Sequence, residues 1–530
     1  MSIKQVCPLL IGVFLGVVGS ASAQSSTRGT DVQHYGFFIR LNDSTDKISA
    51  RAEVTVRFLR ATRYFELDLE GPGGDSGMTV RSVKEEGADL PFTQAGGKLK
   101  IDAHPAAGTE HTYTIQYGGI PRDGLIISTN KFGRRTFFGD NWPDRAHQWL
   151  PCVDHPSDKA TVDFTVTVPD HYQVVANGEK VEETSLGNHL TRSHWTESVA
   201  IPTYCMVIGV ADFAIAHVAT VTGIPVYSYV FPENRDRGFQ AYSVAAGILP
   251  FYVRKIGPYP YEKLADIQSK TIYGGMENAS AIFYYENSVD ARDVEELMAH
   301  EIAHQWFGDG VTETAWQHLW LSEGFATYMT HLYMEDKYGE DTLKSGMADD
   351  RGKVIAFARR RQTPVVDTAV KDNFKQLLNP NSYQKGGWVL HMLRRKLTDS
   401  LFWKGIREYV ETYGGSNAST DEFRRVMEKA SGQELGTFFK QWLYTPGFPD
   451  LQVSWTYDDA ARALNLRIEQ TQDAVFAFPL EYTIGNDTTI HTVNVHEKTT
   501  QVRLPLAARP DGIKIDPNVN VLAQIQVTKE

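Results

Sequence analysis

The stretch Met298-Ala299-His300-Glu301-Ile302-Ala303-His304 decides how the rest of this 530-residue chain is read. On a helix, residues four apart differ by only about 40° in direction, so His300 and His304 project from one face. Two imidazoles placed this way can offer nitrogens to a single Zn²⁺. Glu301 falls beside them, within reach of a water on the metal but not itself a ligand. The pattern predicts a helix capped by Asp290 and stopped near Gly308.

A tetrahedral zinc site that does chemistry takes three protein ligands and keeps one position open. Glu323, in Trp320-Leu321-Ser322-Glu323-Gly324, lies 19 positions after His304, inside a second helical pattern from Leu321 to Tyr338 that Gly339 ends. A turn between two packed helices would bring it to the metal. Further helical segments are expected around Trp388–Leu397, Phe402–Tyr413, Glu422–Ala430 and Leu435–Leu443.

H-E-x-x-H, eighteen intervening residues and then Glu resembles the gluzincin aminopeptidases of the M1 metallopeptidase family, which include aminopeptidase N and leukotriene A hydrolase. Gly274-Gly275-Met276-Glu277-Asn278 is similar to the family's G-x-M-E-N exopeptidase signature, and Ser382-Tyr383-Gln384-Lys385-Gly386 to its tyrosine motif. The resemblance implies one Zn²⁺ held by His300, His304 and Glu323, with Glu301 as general base and Tyr383 stabilising the oxyanion. It implies that Glu277 binds the free α-amino group of a peptide substrate, and that Gly274, Gly275, Met276 and Asn278 belong to the substrate-binding segment. Two departures stand out: Ser322 precedes the third ligand where many members have Asn, and Gln384 follows the tyrosine where Glu is common. The family's second amine-binding residue comes from the N-terminal domain; Asp140 and Asn141 are the candidates in Gly139-Asp140-Asn141-Trp142-Pro143-Asp144.

Around this centre the expected architecture is multidomain α+β. Period-2 alternation in Ala52–Phe58 and Thr161–Val168 predicts an N-terminal antiparallel β domain over residues 24–222. The mainly helical, thermolysin-like catalytic domain implied by the resemblance covers 223–445. Thr445-Pro446-Gly447-Phe448-Pro449 then breaks the helices. About seven short strands over 446–530 suggest a C-terminal β-sandwich, standing where most relatives continue into a large helical domain. A three-domain enzyme with a more open cleft is expected.

Residues 1–23 read as a signal peptide: Lys4, an apolar run from Val6 to Gly19, and Ala21-Ser22-Ala23 before the cut. Export, periplasmic or secreted, is therefore expected, with no stable membrane span after cleavage because no later apolar run reaches 18 residues. Cys152 and Cys205 could form a disulfide or remain buried thiols. Asp and Glu number 65 against 53 Lys and Arg, a net charge of −12, which argues against nucleic acid as a partner. The oligomeric state is open. Asn42, Asn278, Asn417 and Asn486 begin formal glycosylation sequons, for which no modification is the favoured reading. Two other functions share these residues, an epoxide hydrolase on the same zinc scaffold and a non-catalytic peptide-binding protein.

Overall fold

The computed structural model of the protein describes residues 29–530; the expected signal peptide and its cleavage site lie outside them. An eight-stranded sheet dominates the N-terminal part. Its order is Glu179–Gly187, Leu190–Pro202, Lys159–Pro169, Thr30–Arg40, Ile48–Phe58, Glu110–Ile120, Gly77–Glu85 and Ala88–Asp89. The sheet is not wholly antiparallel, because Thr30–Arg40 runs parallel to Lys159–Pro169 in register from His34↔Thr161 to Arg40↔Thr167. Alternation along a strand reports which face is buried, not the direction of its neighbour. Val54, Val56, Phe58, Val162, Phe164 and Val166 point inward as the alternation required.

The expected boundary at 222/223 falls inside a β-hairpin. Ala214–Val221 and Ile224–Val230 are joined by Thr222 and Gly223, both at positive φ, as tight hairpin turns require. The hairpin opens a mixed five-stranded sheet ordered Ala214–Val221, Ile224–Val230, Leu264–Ser269, Ala281–Tyr285, Gly275–Met276. The helical reading of this region overlooked the sheet because its central strand, Leu264–Ser269, is buried at every position and so does not alternate.

Helices pack beyond this sheet. The motif helix spans Val294–His304 and the helix carrying Glu323 spans Trp320–Tyr338. Asp290 does not cap the motif helix. It closes a short 3₁₀ turn, Ser288–Asp290, and its carboxylate pairs with Arg237. Gly339, at φ 98, ends the second helix as expected. Two unpredicted helices, Ala245–Lys255 and Glu340–Ala358, complete the bundle around Gly386–Leu397 and Asp399–Tyr413. The first was hidden by Pro250 in its interior.

After the break at 445–449, seven strands form one sheet of four and one of three. Leu464, Leu466 and Ile468 share the buried face of one strand, and Leu480, Tyr482 and Ile484 that of another. Among the described residues, no helix is long and apolar enough to cross a membrane.

Candidate active site

The motif helix brings its two histidines together as the four-residue spacing requires. His300 Nε2 and His304 Nε2 lie 3.1 Å apart, and Glu323 Oε2 lies 3.2 Å from the first and 3.4 Å from the second. A tetrahedral ion with bonds of about 2.0–2.1 Å holds its ligand atoms about 3.3 Å apart. The triangle of donors therefore fits Zn²⁺ in spacing and in chemistry.

The tautomer of His304 is fixed from behind. Its Nδ1 lies 3.0 Å from the Phe307 carbonyl and 2.9 Å from Ser322 Oγ. Donation to that carbonyl leaves Nε2 as the nitrogen turned toward the donor triangle. Ser322, the departure before Glu323, thus contacts the histidine and not the donor triangle itself. Charges in the site favour a cation. Burial would raise the Glu323 carboxyl, yet hydrogen bonds from His300 and His304 hold it far below the ordinary range. Burial works against charging His304, but Glu277 and Glu323 hold its proton affinity well above the usual histidine value. The pull these acids exert on a proton is the pull they exert on a cation.

Glycines let the other elements close in. Tyr383 sits in a π-helical turn, Asn381–Lys385, that leads into the helix Gly386–Leu397. A Cβ on Gly324 would stand 2.8 Å from the Gly386 Cα. The missing side chains let this turn approach the Glu323 helix, and the Tyr383 hydroxyl donates to Glu323 Oε1 at 2.8 Å. On the opposite side Gly275 lies against Glu301, where a Cβ would come within 2.2 Å of Oε1. Gly275–Met276 is the outermost strand of the mixed sheet, paired on one side only, through Gly275↔Tyr284 and Met276↔Phe283.

A cavity of about 290 Å³ joins these groups. His300, Glu301, His304, Glu323, Tyr383 and Gly274 to Glu277 all line it. Glu301 is 5% exposed. Burial pushes its carboxyl well above the ordinary range, and the neighbouring Glu277 and Glu323 push the same way. Burial raises the Glu277 carboxyl to about 7. A larger hollow of about 770 Å³, between the catalytic helices and the C-terminal strands, contains none of these residues.

Three expectations are corrected. Asn278 does not line the cavity; it is fully buried, and neither side-chain polar atom has a partner among the described residues. Asp140 is fully buried and committed elsewhere. It ion-pairs with Arg145 and accepts hydrogen bonds at 3.0 Å from Thr271 Oγ1 and the Ile272 amide. Asn141 donates to the Met206 carbonyl and accepts from the Trp149 indole. Of the stretch 139–144, only Trp142 reaches the cavity, beside Tyr273, Leu297 and Leu378. Nothing in the sequence pointed to Leu297 or Leu378 as cavity residues. Cys152 and Cys205 are both free and buried.

A profile of the Peptidase M1 N-terminal domain matches residues 31–205, and one of the Peptidase family M1 domain matches residues 240–442. Together they span more than two thirds of the chain. The chain belongs to the M1 peptidase family. It is 29% identical over 418 residues to Probable aminopeptidase 2 of Sulfurisphaera tokodaii, covering 74% of this chain and 52% of that protein. Probable aminopeptidase 1 of Saccharolobus solfataricus is 27% identical over 475 residues, covering 84% and 58%. Human Glutamyl aminopeptidase is 25% identical over 461 residues, covering 79% and 47%. The chain spans about half the length of the curated relatives it matches.

Proposed function

We propose that this M1 peptidase is a zinc-dependent aminopeptidase that hydrolyses the first peptide bond of peptides with a free N-terminus. One observation carries the reading: a three-donor metal triangle, a carboxylate beside it and an unpaired strand edge ending in a second carboxylate share one cavity.

His300, His304 and Glu323 would hold the ion. Zinc bound there supplies a Lewis acid that polarises the carbonyl and makes water acidic enough to attack near neutral pH. Glu277 pairs with the substrate's ammonium, a charge-assisted bond in a dehydrated cleft. An internal peptide nitrogen carries no such charge, so this contact limits cleavage to the first bond. The Gly275–Met276 edge adds the substrate as a further strand through backbone hydrogen bonds. Glu301, as the carboxylate whose burial raises its affinity for a proton, takes one from the attacking water and returns it to the leaving amine. The Tyr383 hydroxyl turns from Glu323 toward the oxygen that gains charge, a contact worth about 2.7–4 kcal/mol if it acts like other oxyanion donors. Residues 1–23 would direct export, and secreted or periplasmic material should begin at Gln24 by intact mass.

The test is an aminoacyl p-nitroanilide, its N-acetyl counterpart and a zinc determination on the purified protein. The reading expects about one zinc per chain, hydrolysis of the free amine with only residual hydrolysis of the N-acetyl form, loss with a chelator and recovery on adding zinc. Full zinc without hydrolysis would favour the peptide-binding alternative.

A further inference from the structure

Gln305 follows the second histidine of the motif, and its fully buried side chain turns away from the metal triangle. Its Nε2 donates to the Glu277 carbonyl at 2.7 Å and to Asp309 Oδ2 at 2.8 Å. Its Oε1 accepts from the Ser280 amide at 2.8 Å and faces the Tyr259 hydroxyl at 3.1 Å. Two acceptors meet the amino group and the Ser280 amide donates to the oxygen, which fixes the orientation of the amide. Both ends of the segment Glu277–Ser280 are therefore held by one side chain of the zinc-binding segment.

That segment needs holding. Ser280 lies at φ 61, a left-handed conformation uncommon for residues other than glycine. Its far side is fixed by the N-terminal domain, through Asn177 Nδ2 to the Ala279 carbonyl and the Gly178 amide to Ser280 Oγ. The Glu277 carbonyl itself is reached by Gln305.

We propose that Gln305 is a positioning residue for amine recognition, locking the Glu277 backbone to the metal-binding helix so that its carboxylate stands at a fixed distance from the reacting carbonyl. The proposal rests on the aminopeptidase reading. A buried amide with four suitable partners does not relax freely, since replacing it leaves the Glu277 carbonyl and the Ser280 amide unpaired. A shift of about 1 Å in a group that orients substrate can cost on the order of 100-fold in rate.

The experiment is a double-mutant cycle on the full zinc enzyme with Gln305→Leu, Glu277→Ala and the pair, assayed on the anilide and its N-acetyl form. Gln305→Leu should keep about one zinc and lower kcat/KM for the free amine by roughly 10–100-fold, mainly through KM. In the Glu277→Ala background the same change should cost less than about threefold. If Gln305→Leu does not fold, Gln305→Glu enters the same cycle; it keeps the acceptor for Ser280 and replaces the donor to Glu277 with an oxygen. A full loss retained in the Glu277→Ala background, or an equal loss on both substrates, would overturn the proposal. A parent that spares the free amine, or a Glu277→Ala variant with unchanged rates, would instead overturn the aminopeptidase reading beneath it.

Discussion

His300, His304 and Glu323 converge from two adjacent helices, His304 as the last residue of the first and Glu323 in the opening turn of the second. Glu277 sits across the cavity at the end of a two-residue edge strand. Its segment is tied to the N-terminal domain by Asp140 at one end and to the motif helix by Gln305 at the other. The metal side is thus built from local periodicity and one helix–helix contact. The amine side is built from buried polar bonds between residues far apart in sequence. Damage to the first should remove the metal, whereas damage to the second should leave the metal and spoil selection.

The largest effect expected is on the metal side. Alanine at His300, His304 or Glu323 should lose zinc and activity together, with metal analysis and the anilide assay run on the same sample. Zinc retained by Glu323→Ala would move the third ligand elsewhere. On the amine side, Glu277→Ala should keep zinc while kcat/KM for free amines falls by about 10²–10³-fold. N-acetyl substrates should be affected far less. Equal losses on both would remove the distinction between the two sides.

Asp140→Ala sharpens the comparison through stability. It leaves the Arg145 guanidinium without its buried partner, and such losses cost about 3–5 kcal/mol. The remaining pair with half-exposed Asp123 argues for the lower end. Denaturant unfolding should show this with zinc still bound. An unchanged midpoint would mean that the brace contributes nothing. Ser322→Ala should do least. His304 Nδ1 keeps the Phe307 carbonyl, so zinc affinity measured by chelator competition should fall by about tenfold or less.

The same contrast decides what the sequence made legible. The helix period acts over four residues, so His300 and His304 could be paired by inspection, and Glu323 followed from the next helical pattern. The strand segment was legible only by resemblance, because two residues of strand carry no period. Asp140 looked like an amine-binding carboxylate, but Thr271, Ile272 and Arg145 claim it, and two of those partners lie more than 100 positions away. The sheet behind the site was obscured by Leu264–Ser269, whose uniform burial erases alternation. The π-helical turn under Tyr383 has no sequence signal of its own. It depends on Gly324 and Gly386, two residues that meet only once the helices pack.

Glu301 touches both sides, lining the metal cavity while Gly275 of the edge strand packs against it. It should move protons without holding the metal. The most direct measurement is therefore zinc content and kcat for Glu301→Gln in a single preparation. The account predicts about one zinc per chain, with kcat lowered by about 10²–10⁴-fold. A variant that retains zinc and full activity would contradict it.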